Sequence, residues 1–312
     1  MLALASVFTN GAGVYCERAA ILETNSTARK ALVLGGGGVT GIAWELGVIA
    51  GLFERGLDLR DANLVVGTSA GSVVGAQITT SADLDSLFNA QMLPPEQSSE
   101  RAVNFDPAMM EDMFRRLMSA GPADAQTLRA RTGAFALQTP TVPEAERRAI
   151  IASRLPVHGW PSSPELLIVA VDIQTGQERI FDRNSGVSLV DAVAASCAVP
   201  GVWPPVTIEG RRYMDGGIRS GTNADLARGC QRVVILSPMG MIDMGPLGNP
   251  ADEVALLERE GGTVAVVTPD AASVQAIGPN VLSPATRAAT ALAGREQGRS
   301  LAASLRAMWL AS

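Results

Sequence analysis

A segment with the pattern G-x-S-x-G lies at residues 67–71, where Ser69 stands between Gly67 and Gly71. A serine nucleophile is typically held at a tight strand-to-helix turn, and a glycine two positions to either side lets that turn close without a Cβ clash. The apolar run at 63–66 predicts a strand before the turn, and the small residues that follow predict a helix to residue 80. This context favours Ser69 as a nucleophile over the alternative that it only caps a helix.

A nucleophilic serine needs a base, and the sequence offers few. His158 is the single histidine of the chain, and it stands in a proline-rich loop with no partner motif, so we expect it to have no catalytic role. Asp215 follows a strand-like segment and precedes Gly216 and Gly217. A carboxylate within hydrogen-bond reach can accept the serine proton. Asp215 is therefore the candidate base, and the alternative is an ordinary Asp-Gly turn.

Four consecutive glycines, residues 35–38, follow the first predicted strand. Their exposed N–H groups and the dipole of the following helix can bind a phosphate or a tetrahedral oxyanion. Gly36, Gly38 and Gly41 also fit the G-x-G-x-x-G pattern of dinucleotide-binding proteins. However, no acidic residue ends the second predicted strand, and the chain has no Gly-Lys-Ser/Thr. The loop therefore favours an oxyanion hole over a nucleotide site.

These motifs, in this order, resemble those of the patatin-like phospholipase family over residues 30–240. Residues 36–41 resemble its glycine-rich oxyanion motif, residues 67–71 its nucleophile motif, and residues 215–217 its D-G-[AG] motif, with a fourth match to A-S-x-A-x-P at 195–200. The resemblance implies a Ser69–Asp215 dyad without histidine, an acyl-serine intermediate, and an oxyanion hole made by the amides of Gly36, Gly37 and Gly38. It implies lipid acyl hydrolysis of the phospholipase A, lysophospholipase or carboxylesterase type, with no metal or cofactor.

One position departs from the family pattern, because Thr40 stands where the family usually has Arg or Lys. A basic residue there could support the loop or meet anionic lipid, so a preference for anionic phospholipids is not implied for this chain. The alternative to an enzyme is a non-catalytic lipid-binding or regulatory protein on the same fold. The presence of both dyad residues argues against that alternative.

Two strand–glycine turn–helix units in succession are typical of a parallel α/β sheet. We expect a three-layer α/β/α sandwich with a mostly parallel central sheet and a helical cap. Residues 1–28 are predicted to form an irregular arm, and residues 29–312 a single domain with a helical insertion at 81–164. Further strands are predicted at 166–171, 177–181, 206–208, 211–214, 233–236 and 264–267, and helices at 41–55, 108–119, 144–154, 189–196 and from residue 283 onward.

Composition limits the partners and the compartment. The net charge of −6 argues against nucleic acid as the main partner. Three widely spaced cysteines, Cys16, Cys197 and Cys230, suggest neither a disulfide framework nor a zinc site. The N-terminus is a poor signal peptide, and no apolar run is long enough to span a membrane. We expect a cytoplasmic protein acting on a lipid or acyl-ester substrate, compatible with peripheral membrane contact, and the oligomeric state stays open.

Overall fold

A computed structural model of the chain describes residues 28–80, 83–97 and 123–311, together with residues 100, 103, 115, 119 and 121. Within these residues the strands form one mixed sheet of order β5-β6-β3-β2-β1-β7-β8, with β4 paired to β3. The strands are β1 Lys30–Leu34, β2 Leu64–Thr68, β3 Glu165–Asp172, β4 Glu178–Phe181, β5 Val206–Ile208, β6 Arg211–Asp215, β7 Arg232–Leu236 and β8 Thr263–Val267. The run β3-β2-β1-β7-β8 is parallel, whereas β4, β5 and β6 pair in antiparallel fashion.

Helices cover both faces of the sheet. They are α1 Gly38–Glu54, α2 Ala70–Thr80, α3 Leu84–Gln91, α4 Ala125–Gln138, α5 Glu144–Arg154, α6 Leu189–Ser196, α7 Pro250–Arg259, α8 Ala271–Ile277 and α9 Arg287–Trp309. Between α2 and β3 the described residues contain helices and no strand.

Alternate side chains of the central strands enter two separate cores. Leu32 and Leu34 of β1 pack in one cluster with residues of α1, α2, α6 and α9. Ala31 and Val33 pack in a second cluster on the opposite face, which includes Leu257 of α7. Successive strand residues point to opposite faces, so β1 is buried on both sides, as expected for a parallel strand covered by helices. The result is a three-layer α/β/α arrangement.

The strand register places the Ser69 and Asp215 motifs at the same end of the strands. Thr68, at the end of β2, pairs with Val169 of β3. The next residue of β3, Ala170, pairs with Asp215 at the end of β6. Because β6 runs antiparallel to β3, the residues that follow β2 and β6 are level with each other on the two sides of β3.

The predicted α/β fold class is confirmed. The observed bounds of α5 and α6 equal the predicted ones, while α1 begins at Gly38 rather than at residue 41. This earlier start follows from the Gly41 N–H, which donates to the Gly37 carbonyl at 2.7 Å and closes the first turn within the glycine run. The division into an arm, one domain and an insertion stays a prediction.

Some sequence predictions fall outside the described residues. Residues 1–27 of the predicted arm, with Cys16, lie there, as does nearly all of the helix predicted at 108–119. Cys197 and Cys230 are both free and buried. None of the helices in the described ranges is both long enough and apolar enough to cross a membrane.

Candidate active site

Ser69 lies on a sharp turn between β2 and α2. Its φ of 51° is in the left-handed region, which is sparsely populated by residues other than glycine. The Ser69 carbonyl accepts the N–H groups of Ser72 and Val73 at 3.0 and 3.4 Å, so the first turn of α2 closes directly onto it. A strained serine between a strand and a helix is the geometry of a nucleophile elbow.

The glycines of the elbow are required by close packing. A Cβ on Gly71 would lie 2.1 Å from the carbonyl oxygen of Leu34, and one on Gly67 would lie 2.7 Å from the carbonyl oxygen of Gly71. Gly71 therefore packs so closely against the backbone of β1 that no Cβ fits between them. Gly41 of α1 also approaches the elbow, since a Cβ there would lie 3.2 Å from the Ala70 Cβ.

The A-S-x-A-x-P stretch, residues 195–200, forms hydrogen bonds with the backbones of both Ser69 and Asp215. Ser196 Oγ accepts the Ser69 N–H at 2.9 Å, and the Cys197 thiol donates to the Ser69 carbonyl at 3.2 Å. The Ala198 carbonyl accepts the Asp215 N–H at 2.9 Å. The end of α6 thus fixes the backbones of Ser69 and Asp215 relative to each other.

Asp215 is buried beside Ser69. Its side chain is 4% exposed, and its Oδ1 accepts the Gly217 N–H at 2.7 Å. Burial raises the pKa of Asp215 to about 6, and the Ser69 hydroxyl, the Gly217 N–H and the Arg147 charge oppose that rise. Yet Asp215 Oδ2 has no hydrogen bond of good geometry within the described part of the chain. The Ser69–Asp215 contact is therefore longer or less aligned than an ideal bond, as is common in substrate-free sites.

The turn after Asp215 packs against the sheet. A Cβ on Gly216 would lie 2.3 Å from the Val169 carbonyl oxygen, so this position also requires glycine. Asn223, with a φ of 52°, links this turn to the elbow strand. Its Nδ2 donates to Thr68 Oγ1 at 2.9 Å and to the Gly216 carbonyl at 3.3 Å.

The glycine loop offers fewer free amides than the sequence predicted. The Gly36 N–H donates to the Gly221 carbonyl at 2.9 Å, so this amide is already used and its predicted role in an oxyanion hole is corrected. The N–H groups of Gly37 and Gly38 have no acceptor among the described residues. Gly38, the first residue of α1, has a φ of 61°, in the left-handed region that favours glycine. Gly37 and Gly38 are thus the amides available to a ligand next to Ser69.

Thr40 holds the loop in place. Its N–H donates to the Val281 carbonyl at 3.0 Å, and its hydroxyl lies 3.2 Å from the same oxygen and 3.4 Å from the Gly37 carbonyl. Thr40 is buried, so at this position the chain presents no group to solvent.

An apolar cleft opens over Ser69 and Asp215. Its volume is about 220 Å³, and the glycine loop and both dyad candidates are among the residues that line it. The rest of the wall is largely apolar and includes Ile218, Met239, Ile242, Met244, Val281 and Leu282. Such a cleft suits an apolar chain with a polar end at Ser69.

Sequence reasoning gave no role to Asn223 or Arg147, and it noted Ser196 only as part of the A-S-x-A-x-P match. Ser196 and Asn223 act through contacts that only the fold creates. Arg147 lines a small cavity with Ser69, although its helix reads as a charged, solvent-facing segment. His158 is exposed, and its Nε2 lies 3.0 Å from the Ala152 carbonyl oxygen. It lines none of the cavities around Ser69 that the described residues form.

Comparison with known proteins supplies the family. Uncharacterized NTE family proteins of Mycobacterium bovis and Mycobacterium tuberculosis are 30% identical over 210 residues, which are 65% of this chain and 48% of theirs. The chain thus spans about half the length of these curated relatives. Two solved structures align with 89% of the chain. VipD from Legionella pneumophila is 15% identical, with 67% of its length covered and a TM-score of 0.41. The type III effector ExoU is 16% identical, with 53% of its length covered and a TM-score of 0.43. The sequence profile of the patatin-like phospholipases matches residues 32–228, so the chain belongs to the patatin-like phospholipase family.

Proposed function

We propose that this chain is a serine lipid acyl hydrolase in which Ser69 is the nucleophile and Asp215 its base. The observation that carries the proposal is a buried carboxylate beside a serine on a left-handed elbow, both in the wall of an apolar cleft. Family membership supports lipid hydrolysis as the reaction class.

The proposed reaction has two halves. Asp215 accepts the hydroxyl proton of Ser69 while Ser69 Oγ attacks the ester carbonyl, and the amides of Gly37 and Gly38 stabilise the tetrahedral oxyanion. The oxyanion collapses, the alcohol leaves with the proton from Asp215, and an acyl-serine remains. Water then attacks the acyl-serine as Asp215 takes its proton. The fatty acid departs, and the proton returns to Ser69.

The substrate that the cleft favours is a carboxylic ester with an apolar acyl chain. Phospholipids, lysolipids and simple long-chain esters all belong to this class. A series of p-nitrophenyl esters of increasing chain length, measured beside phospholipids, ranks them. Turnover confined to the shortest esters would contradict the role given to the cleft.

A fluorophosphonate probe tests the nucleophile. We expect covalent labelling of Ser69 in the wild-type protein, and neither labelling nor esterase activity in Ser69→Ala. Ser72→Ala is the matched control, because Ser72 lies one turn along α2 and its hydroxyl donates to the Ser69 carbonyl at 2.6 Å. Failure of the folded wild-type protein to react with the probe would favour a non-catalytic lipid-binding protein.

Peripheral membrane contact belongs to the same proposal. Met239 and Ile242 line the cleft and are 44% and 54% exposed, so the rim offers apolar area to a lipid surface. The double substitution Met239→Ser and Ile242→Ser should weaken co-sedimentation with neutral phospholipid vesicles. Val274→Ser is the control, since Val274 is 59% exposed but lines no part of the cleft. Equal binding by all three proteins would remove the rim from the proposal.

A further inference from the structure

Arg147 is a buried cation, and two of its guanidinium nitrogens have no hydrogen-bond partner among the residues that the structure describes. It lies on α5, its side chain is 4% exposed, and its guanidinium stacks 3.7 Å above the Trp203 ring. Nε and Nη1 make no hydrogen bond to any part of the chain that the structure describes. Stacking stabilises the flat face of a guanidinium but leaves its N–H groups unsatisfied. An unsatisfied buried charge costs several kcal/mol, roughly, unless a ligand compensates for it.

The nearby carboxylates of Glu100 and Asp215 act on Arg147 through their charge, but within the described residues neither forms a salt bridge or hydrogen bond with its guanidinium. Glu100 is committed to Arg154, with Nε and Nη2 at 2.7 and 2.6 Å from its two oxygens. Arg287 donates to the carbonyls of Gln91 and Leu93. Burial lowers the pKa of Arg147 to about 9, with a further lowering from the charge of Arg154. Arg147 is therefore still cationic near neutral pH, and no salt bridge joins it to a carboxylate of the described residues.

A small cavity connects Arg147 with the elbow. Its volume is about 20 Å³, and Gly38, Ser69, Ala70 and Arg147 are among the residues that line it. A volume of this size holds about one water molecule, or one oxygen atom of a ligand. Gly38 is the first residue of α1 and Ala70 the first of α2. The first residues of two helices and Arg147 thus line the same cavity, and helix N-termini and a guanidinium all favour negative charge.

We propose that Arg147 binds an anionic oxygen of the substrate in this cavity, directly beside Ser69. The inference rests on the proposed function and extends it by a residue outside the family motifs. Two sources could supply the oxygen: the ester carbonyl, which becomes an oxyanion in the tetrahedral intermediate, or the phosphate of a phospholipid. The size of the cavity fits a single oxygen from either source.

Kinetics with paired substrates separates the two sources. Arg147→Met is assayed on a diacylglycerol and on a phosphatidylcholine with the same acyl chains. Removal of an oxyanion donor should lower kcat about 10²-fold or more on both lipids, whereas removal of a phosphate ligand should raise KM on the phosphatidylcholine alone. Either pattern supports the site. Activity within threefold of wild type on both lipids overturns it.

Two further variants control for folding. Arg148→Met is the matched control, because Arg148 is adjacent, half-exposed and ion-paired to Asp191, and it should leave both activities unchanged. Arg147→Lys keeps the charge and should recover part of the lost activity. If Arg147→Met does not fold, the Lys variant carries the kinetic comparison, and wild-type kinetics in it on both lipids overturns the proposal.

A binding measurement tests the site without turnover. Crystals of Ser69→Ala soaked in sodium bromide should show an anomalous peak in contact with the Arg147 guanidinium, and Ser69→Ala with Arg147→Met should lack it. Absence of the peak from the first crystal overturns the anion site. Because this variant has no nucleophile, the result is independent of the proposed hydrolase activity. A peak in a protein that hydrolyses no ester would leave the anion site standing while the proposed function fails.

Discussion

The two walls of the site are built in opposite ways. On the elbow wall, formed by Ser69, Gly71 and Ser196, the Ser69 N–H and carbonyl both have partners, and the backbone is packed to contact distance. On the charged wall, formed by Asp215 and Arg147, the atoms Oδ2 of Asp215 and Nε and Nη1 of Arg147 have no hydrogen bond within the described residues. A satisfied, close-packed wall fixes a geometry. An unsatisfied charged wall costs stability and keeps groups free for a reacting substrate.

The largest expected effect is on the charged wall. Asp215→Asn keeps the size of the side chain but removes its basicity, so kcat should fall by about 10²-fold or more, as expected for loss of a general base. Esterase assays on the folded variant measure this. Asp172→Asn is the matched control, because Asp172 is equally buried at the end of β3 and also accepts backbone N–H groups, but it is ion-paired with Arg211 and lines no part of the cleft. Equal losses from both variants would mean that Asp215 acts through structure alone.

The elbow wall should respond in stability. In Gly71→Ala the new Cβ would lie 2.1 Å from the Leu34 carbonyl oxygen, which is backbone and cannot rotate away. We expect the free energy of unfolding to fall by about 3 kcal/mol, at the upper end of overpacking effects. Denaturant unfolding measures the change. Gly159→Ala is the control, since a Cβ there has no described atom within 4 Å and should change stability little.

The pH dependence joins catalysis and stability at Asp215. Its carboxyl must be ionised to act as a base, and burial raises its pKa to about 6. Activity should therefore rise about tenfold between pH 5 and pH 7. Because burial raises the folded-state pKa, the folded protein favours the protonated carboxyl. The contribution of Asp215 to the free energy of unfolding is therefore fully present below the unfolded pKa of about 4 and is lost as pH rises through about 6.

Asp215→Asn removes this titration, which gives a second measurement. The free energy of unfolding of the variant, measured relative to that of wild type, should be about 2–3 kcal/mol higher at pH 8 than at pH 4. Thermal melts of both proteins at the two pH values provide the comparison. A constant difference in stability would show that Asp215 does not titrate in this range.

A smaller effect is expected at the contact that supports the elbow. Ser196→Ala leaves the buried Ser69 N–H without its acceptor, which should cost about 1–3 kcal/mol of stability. A shifted elbow should also lower kcat, but by less than Asp215→Asn does. Ser188→Ala is the control on the same helix, because Ser188 caps α6 through the Asp191 N–H. It should lose about 1 kcal/mol of stability with unchanged kcat.

Much of the fold follows from local patterns. Apolar runs mark the strands of the sheet, and α6 begins at the residue that its Ser188 cap predicts. Helices α7 and α8 were not predicted, although Asn249 and Asp270 cap them and Pro250 occupies the first turn of α7. Those signals were present in the sequence. Short helices are harder to separate from loops, because few residues carry the pattern.

The candidate site also contains residues that local sequence patterns predict and residues that they do not. The serine and aspartate motifs are local, and the sequence places them. By contrast, the Gly36 amide is used by Gly221, which is 185 positions away along the chain. Burial of Arg147 depends on Trp203 and on the cavity beside Ser69. No local pattern distinguishes Arg147 from its exposed neighbour Arg148, so only the tertiary structure brings it into the site.

The smallest effect is expected at a residue on neither wall. His158 is the single histidine of the chain and would be the base in a conventional triad. Its Nε2 lies 3.0 Å from the Ala152 carbonyl oxygen near the end of α5, whereas the carboxyl beside Ser69 is that of Asp215, the proposed base. His158→Ala should therefore keep kcat within about tenfold of wild type, a change of ~1.4 kcal/mol or less in the barrier. A loss of several orders of magnitude in a variant with a wild-type melting curve would require a conformation in which His158 reaches Ser69. The comparison of the two walls would then describe a resting state instead of the catalytic one.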